Sequence, residues 1–152
     1  KLGKKRKAGQ YFKKSHEIDP EDVDSYLIEG RMYMEDGDFD KAVKKWALAL
    51  ERAPYADTWN EIGIYSMELG QLNHARMAFE HVKELEPDFE NINEKLASLY
   101  LLLKDKENFQ KYNQLCKRPF QLEDLKKIEE MLESEDKEEL AQAMKNILNA
   151  LQ

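Results

Sequence analysis

The chain contains a single cysteine, Cys116, so it cannot build an internal disulfide framework or a multi-cysteine metal site. One reduced thiol fits a cytoplasmic protein. There are three histidines, His16, His74 and His81, and none belongs to a His-Glu-x-x-His motif or a Cys/His cluster with metal spacing. His74 and His81 are seven apart and can share a helix face, but two histidines without a third ligand read as surface residues. The six glycines are scattered, so no glycine-rich phosphate loop is present. No apolar run approaches membrane-spanning length, and no signal-peptide core is visible, which excludes membrane insertion as a reading. Carboxylates are spread throughout the chain, so no pair stands out as an acid/base couple. Cys116 has no His or Asn motif around it to make it a nucleophile, and it reads as a small hydrophobe on a helix. No cofactor and no catalytic residue is expected.

Proline is also rare, and its four positions are the informative ones: 20, 54, 87 and 119, spaced 34, 33 and 32 residues apart. A period of this length is the mark of a solenoid of stacked units. Other residues fall into register with the first three prolines. Alanine stands twelve before each (Ala8, Ala42, Ala75), a bulky aromatic eight before (Phe12, Trp46, Phe79), and Ser15, Ala49 or Val82 five before. Glycine stands seventeen before (Gly3, Gly37, Gly70), and Gly30 and Gly63 stand twenty-four before. Alanine, an aromatic four on and a small residue three further share one helical face, so two helices can approach closely there. Gly37 and Gly70 follow helical runs, where a left-handed turn is wanted, and the prolines follow a second helix that they cannot continue. Each unit therefore reads helix, tight turn, helix, stop.

The pattern resembles the tetratricopeptide repeat, a helix–turn–helix family with the signature W-x2-L-G-x2-Y, A-x3-F and P. Residues 23–54 match through Tyr26, Gly30, Tyr33, Ala42, Trp46, Ala49 and Pro54, departing where Glu29 replaces leucine. Residues 56–87 match through Trp59, Ile62, Gly63, Ala75, Phe79, Val82 and Pro87, with Ser66 in place of tyrosine. Residues 90–119 are degenerate: Leu96, Ala97 and Tyr100 fit, and Phe109, Tyr112, Leu115 and Cys116 keep helical spacing only. Residues 1–20 match the second half of a unit. The resemblance implies an all-α, right-handed superhelix of helix pairs over 1–119, followed by a helical cap over 120–152. The chain begins without Met and inside a unit, so it reads as a fragment with a helix missing upstream.

After Pro119, Leu122, Leu125, Ile128 and Leu132 form one apolar stripe, and Leu140, Met144, Ile147, Leu148 and Leu151 form another. Ser134 and Asp136 offer N-caps between them, which predicts helices over about 121–133 and 136–151. A hairpin this small needs a surface to dock on, and the open end of a repeat array needs a cap. The other use for these stripes is self-association or partner binding.

Charge is uneven. Residues 1–14 carry seven Lys/Arg and no acid while the chain totals −7, so residues 15–152 carry −14. An acidic body disfavours nucleic acid, whose backbone requires a basic stripe. The Lys4–Lys7 cluster reads as a solvated face rather than a localisation signal.

The resemblance also implies where a ligand would lie. In this family the first helix of each repeat lines a concave groove. Its implied ligand-facing positions here are Asp24, Leu27, Arg31, Met34 and Glu35 in the first full unit. The second gives Asp57, Asn60, Ile64, Met67 and Glu68, and the third gives Asn91, Glu94, Ser98, Leu101 and Leu102. Five acids against one base, with flexible apolar neighbours, predict a partner protein or peptide segment that is basic or apolar. The positions that clamp an acidic chaperone carboxyl terminus in one family variant lack their basic set here. The reading is a non-catalytic interaction module, a scaffold or assembly adaptor. A secretion-type chaperone, or the regulatory arm of a larger enzyme or machine, are the other classes the pattern allows.

Overall fold

The structure, a computed structural model of the chain, describes residues 10–14, 19, 22–133, 142 and 146. The partial unit's Gly3, Ala8, Ser15 and Pro20, the Lys4–Lys7 cluster and the second tail stripe lie outside the described residues. The described chain is helical, with no strand among the described residues. A helical segment at 10–14 buries Phe12. It is followed by α1 (Val23–Glu35), α2 (Phe39–Arg52), α3 (Ala56–Glu68), α4 (Leu72–Leu85), α5 (Ile92–Leu102), α6 (Lys106–Asn113) and α7 (Leu122–Glu133). The all-α solenoid expected from the sequence is the fold observed. The helices associate as pairs: α1 with α2, α3 with α4, and α5 with α6.

Local chemistry sets the ends of these helices. The Asp22 carboxylate caps α1 by accepting from the Ser25 amide at 3.2 Å, and Asp38 caps α2 through the Lys41 amide at 3.4 Å. Between α1 and α2 the chain turns through Gly37 at φ 80°, and between α3 and α4 through Gly70 at φ 73°. That left-handed conformation suits glycine, which has no Cβ to clash. The third pair makes the same turn with Lys104 at φ 59°.

Within each of the first two pairs a glycine lets an aromatic ring lie against a helix backbone. A Cβ at Gly30 would stand 2.3 Å from Trp46 Nε1, and a Cβ at Gly63 would stand 2.4 Å from Phe79 Cε1. The Trp46 indole donates to the Leu27 carbonyl at 3.1 Å, which satisfies the one polar atom this contact buries. The third pair departs from this device. Ala97 stands where the other two pairs have glycine, and α6 has 8 residues where α2 and α4 have 14.

Two apolar clusters result. One joins Tyr26, Leu27, Met34, Ala42, Trp46 and Ala49 of the first pair to Ile62 and Ala78 of the second. The other runs from Met67, Phe79 and Val82 through Leu96, Leu99 and Tyr100 to Phe109 and Tyr112. Trp59 packs against both. Beyond α6, the Phe120 amide donates to Asn113 Oδ1 at 2.8 Å, and Phe120 and Leu125 pack against the second cluster. Leu125 is the residue of the first tail stripe for which contacts are described.

Candidate binding face

The first helices of the three pairs, α1, α3 and α5, are tied to one another by polar links. Arg31 of α1 pairs with Glu68 of α3 at 3.2 Å while its guanidinium lies 5.0 Å from the Tyr65 ring centroid. Asn60 of α3 accepts at Oδ1 from Lys95 Nζ of α5 at 2.8 Å. Each link spans a junction between units, so this face is fixed by contacts that also join the stack.

The register implied by the family resemblance holds on this face only in part. Leu27, Met34, Met67 and Ser98 are core residues: Met67 and Ser98 have 0% exposure, and Ser98 Oγ donates to the Glu94 carbonyl at 2.7 Å. They have no surface to offer a ligand. A first helix is packed between its own partner and its neighbours, and that closes positions an isolated helix would leave open. Leu102 is also buried and Leu101 half-buried. Glu94 is 4% exposed and turned to structural use. Its Oε1 accepts from the backbone amides of Lys117 at 2.8 Å and Arg118 at 3.5 Å, holding the turn after α6. Two N–H donors compensate a buried carboxylate. Asp24, Glu35 and Glu68 are exposed, and Arg31 is half-buried.

Four of the expected residues come together. Asp57, Asn60 and Ile64 of α3 and Asn91 before α5 line a cleft of about 640 Å³ closed by the loop between α4 and α5. Glu61, Glu86, Asp88, Phe89, Glu90 and Lys95 complete its wall. The helix register could not place the loop residues, because it describes helices alone. Glu61 and Lys95 each stand one residue beyond an expected position, Asn60 and Glu94. An Asp/Glu cluster at the Pro87 turn was the available signal.

The cleft carries five carboxylates, Asp57, Glu61, Glu86, Asp88 and Glu90, and one ammonium, Lys95. Burial pushes the Lys95 pKa down, opposed by the nearby charges of Glu90, Glu61 and Glu94. Burial likewise pushes the Tyr65 hydroxyl up, reinforced by Glu61 and opposed by Arg31. Ile64 and Phe89 supply apolar surface within the same cleft.

Other groups with chemical potential are spent on structure. Burial, with Glu94 nearby, pushes the Cys116 thiol up to about 12, so it is a protonated thiol at neutral pH. Its Sγ donates to the Tyr112 carbonyl at 3.3 Å. His81 stacks on Trp59 at 4.2 Å, and His74 on Phe39 at 6.4 Å. Among the described residues no group of three or more His, Cys, Asp or Glu could hold a metal ion, and no helix is long and apolar enough to cross a membrane.

Residues 56–89 match the family model for the tetratricopeptide repeat. The matched segment runs from α3 through α4 to Phe89, and so contains one wall of the cleft and most of the loop that closes it. No curated protein matches the chain.

Proposed function

We propose that this tetratricopeptide-repeat protein is a non-catalytic protein–protein interaction module, a scaffold or assembly adaptor. It holds a basic or apolar segment of a partner against the acidic face of its first helices. Repeats of this family in general bind proteins, and the carrying observation is the cleft at Asp57, Asn60 and Ile64. None of its five carboxylates has a cation in ion-pair contact among the described residues. A concavity with five carboxylates and one ammonium is net negative, and it raises the local concentration of cationic groups and steers them inward. It repels phosphate backbones for the same reason, which supports a protein partner over nucleic acid.

The test uses a defined basic probe, a fluorescein-labelled nonapeptide of sequence KLGKKRKAG, identical to residues 1–9 of the chain, beside an analogue with every Lys and Arg replaced by Glu. Fluorescence anisotropy should show binding of the basic peptide and none of the acidic one. Affinity should fall as salt rises, because exposed charge pairs are screened over roughly 8–10 Å at ordinary ionic strength. The Asp57→Asn/Glu90→Gln variant should weaken binding about tenfold or more, at ~0.7–1 kcal/mol per exposed pair lost. Equal affinity of this variant and the wild type for the basic peptide would remove the acidic-cleft reading.

A further inference from the structure

Among the described residues Lys95 is the one cation that lines the cleft, and it forms no ion pair with the surrounding carboxylates. Its Nζ lies 2.8 Å from Asn60 Oδ1 and 3.5 Å from the Glu90 carbonyl oxygen. It lies over the Phe79 ring at 5.8 Å and the Phe89 ring at 5.4 Å from their centroids. Two neutral oxygen acceptors and two aromatic faces are the set that receives an ammonium or guanidinium group. Asn60 is 9% exposed. Its oxygen is taken by Lys95, while its amide nitrogen donates to no described residue. A donor with no protein acceptor, beside carboxylates in no ion-pair contact, offers a bound segment two kinds of partner. A segment lying in the cleft would supply a backbone carbonyl to one and a side-chain cation to the other.

We propose that the cleft is a seat for one Lys or Arg side chain of a bound segment, and that Lys95 fills this seat in cis until the segment arrives. The inference rests on the acidic-cleft reading and adds the residue that sets its affinity. Lys95 competes with the incoming cation in two ways. It occupies the oxygen and aromatic partners, and its charge offsets part of the attraction of the carboxylates. Its stem is long enough to swing away without moving α5, and its burial already disfavours the charged form. The competing structural role is that of a strut between α3 and α5, which would leave Lys95 neutral or helpful to binding.

The experiment compares wild type, Lys95→Met and Lys95→Arg in anisotropy titrations with the KLGKKRKAG peptide, each protein first checked for helicity and thermal unfolding by circular dichroism. Lys95→Gln replaces the Met variant if the latter is unfolded. Lys95→Met keeps the apolar stem and removes the charge. Lifting one like-charge repulsion of about 1 kcal/mol at near-contact distance in a wet cleft should tighten binding roughly fivefold. Lys95→Arg should bind as wild type does, because the seat stays filled. Tighter binding by the Met variant alone supports the inference. Equal or weaker binding by the Met variant, with Asp57→Asn/Glu90→Gln still losing affinity, overturns the role of Lys95 and leaves the acidic cleft standing. A peptide that binds neither wild type nor variant overturns both.

Discussion

Gly63→Ala is the most stringent test of how the helix pairs are packed. On propensity alone the change should help, since alanine in a helix interior is favoured over glycine by about 1 kcal/mol. The structure predicts the opposite. The new methyl would stand 2.4 Å from Cε1 and 2.6 Å from Cδ1 of Phe79, far inside van der Waals contact. The ring cannot yield easily: Phe79 has no exposed surface and lies in the cluster with Met67, Val82, Leu96 and Leu99. Relief requires α3 to back away from α4, opening the core along its length. Overpacking of this kind costs typically 1–3 kcal/mol, and here the contact is at the severe end, so about 1–2 kcal/mol of net destabilisation remains after the propensity gain. For a chain of this size that lowers Tm by roughly 3–8 °C. Thermal unfolding followed by circular dichroism reads it directly. The double variant Gly63→Ala/Phe79→Leu completes the cycle and should lose less stability than the two single changes added together, because the smaller side chain makes room for the methyl. An unchanged or higher Tm for Gly63→Ala, or strict additivity in the cycle, would refute the account of the packing.

Three further outcomes follow from particular residues. Lys104→Gly should raise stability by roughly 1 kcal/mol in urea unfolding, because Lys104 adopts φ 59°, a left-handed conformation costing a non-glycine residue about 1–2 kcal/mol. Ser66→Ala should stabilise by about 1 kcal/mol, since the Ser66 hydroxyl is fully buried and has no hydrogen-bond partner among the described residues; a loss of stability would mean that the hydroxyl is satisfied. Cys116 should resist iodoacetamide in the folded protein at pH 8 and react promptly once unfolded, as the residue is 8% exposed and burial pushes its thiol up to about 12; mass spectrometry of the alkylated protein distinguishes the two.

The first two helix pairs were legible because each carries three devices that physics requires together: a glycine turn, a glycine beneath an aromatic ring, and alanine at the crossing. The third pair was less legible because none of the three is present in its usual residue. Its turn does keep the period, since Lys104 stands 34 residues after Gly70, as Gly70 stands 33 after Gly37. The proline does not. Lys104 precedes Pro119 by 15 residues where Gly37 and Gly70 precede their prolines by 17. Reading the third unit from its proline therefore shifts its second helix by two positions. Asp105 was the better guide, for its carboxylate accepts from the Asn108 amide at 3.1 Å and fixes the start of α6. On the binding face, the open positions were legible where the side chain projects past the neighbouring helix, as at Asp57 and Ile64. They were not where the neighbour closes over them, as at Leu27 and Met67. Lys95 could not be found from helix register, because what makes it notable is its distance from Asn60, thirty-five residues earlier.

The same contacts decide what binding would do to the stack. Removing Lys95 from Asn60 breaks one polar link between α3 and α5. It leaves untouched the apolar contact in which Phe79 and Val82 of α4 meet Leu96 and Leu99 of α5, all of them fully buried. One hydrogen bond from a half-buried ammonium to a buried amide oxygen contributes about 1.5–3 kcal/mol, whereas the four apolar side chains together contribute roughly 6–12 kcal/mol by burial. On the proposed reading the second and third units would therefore stay joined when the seat changes occupants, and the cleft would act as a preformed site in which one side chain is exchanged. The first unit is held differently. It meets the second through Ile62, Ala78 and the shared Trp59, and across the open face through the half-exposed Arg31–Glu68 pair. A partner that extends from the cleft toward α1 would thus act on the more weakly joined boundary, and amide hydrogen exchange with the basic peptide bound should show its added protection at α1 rather than within the α4–α5 core.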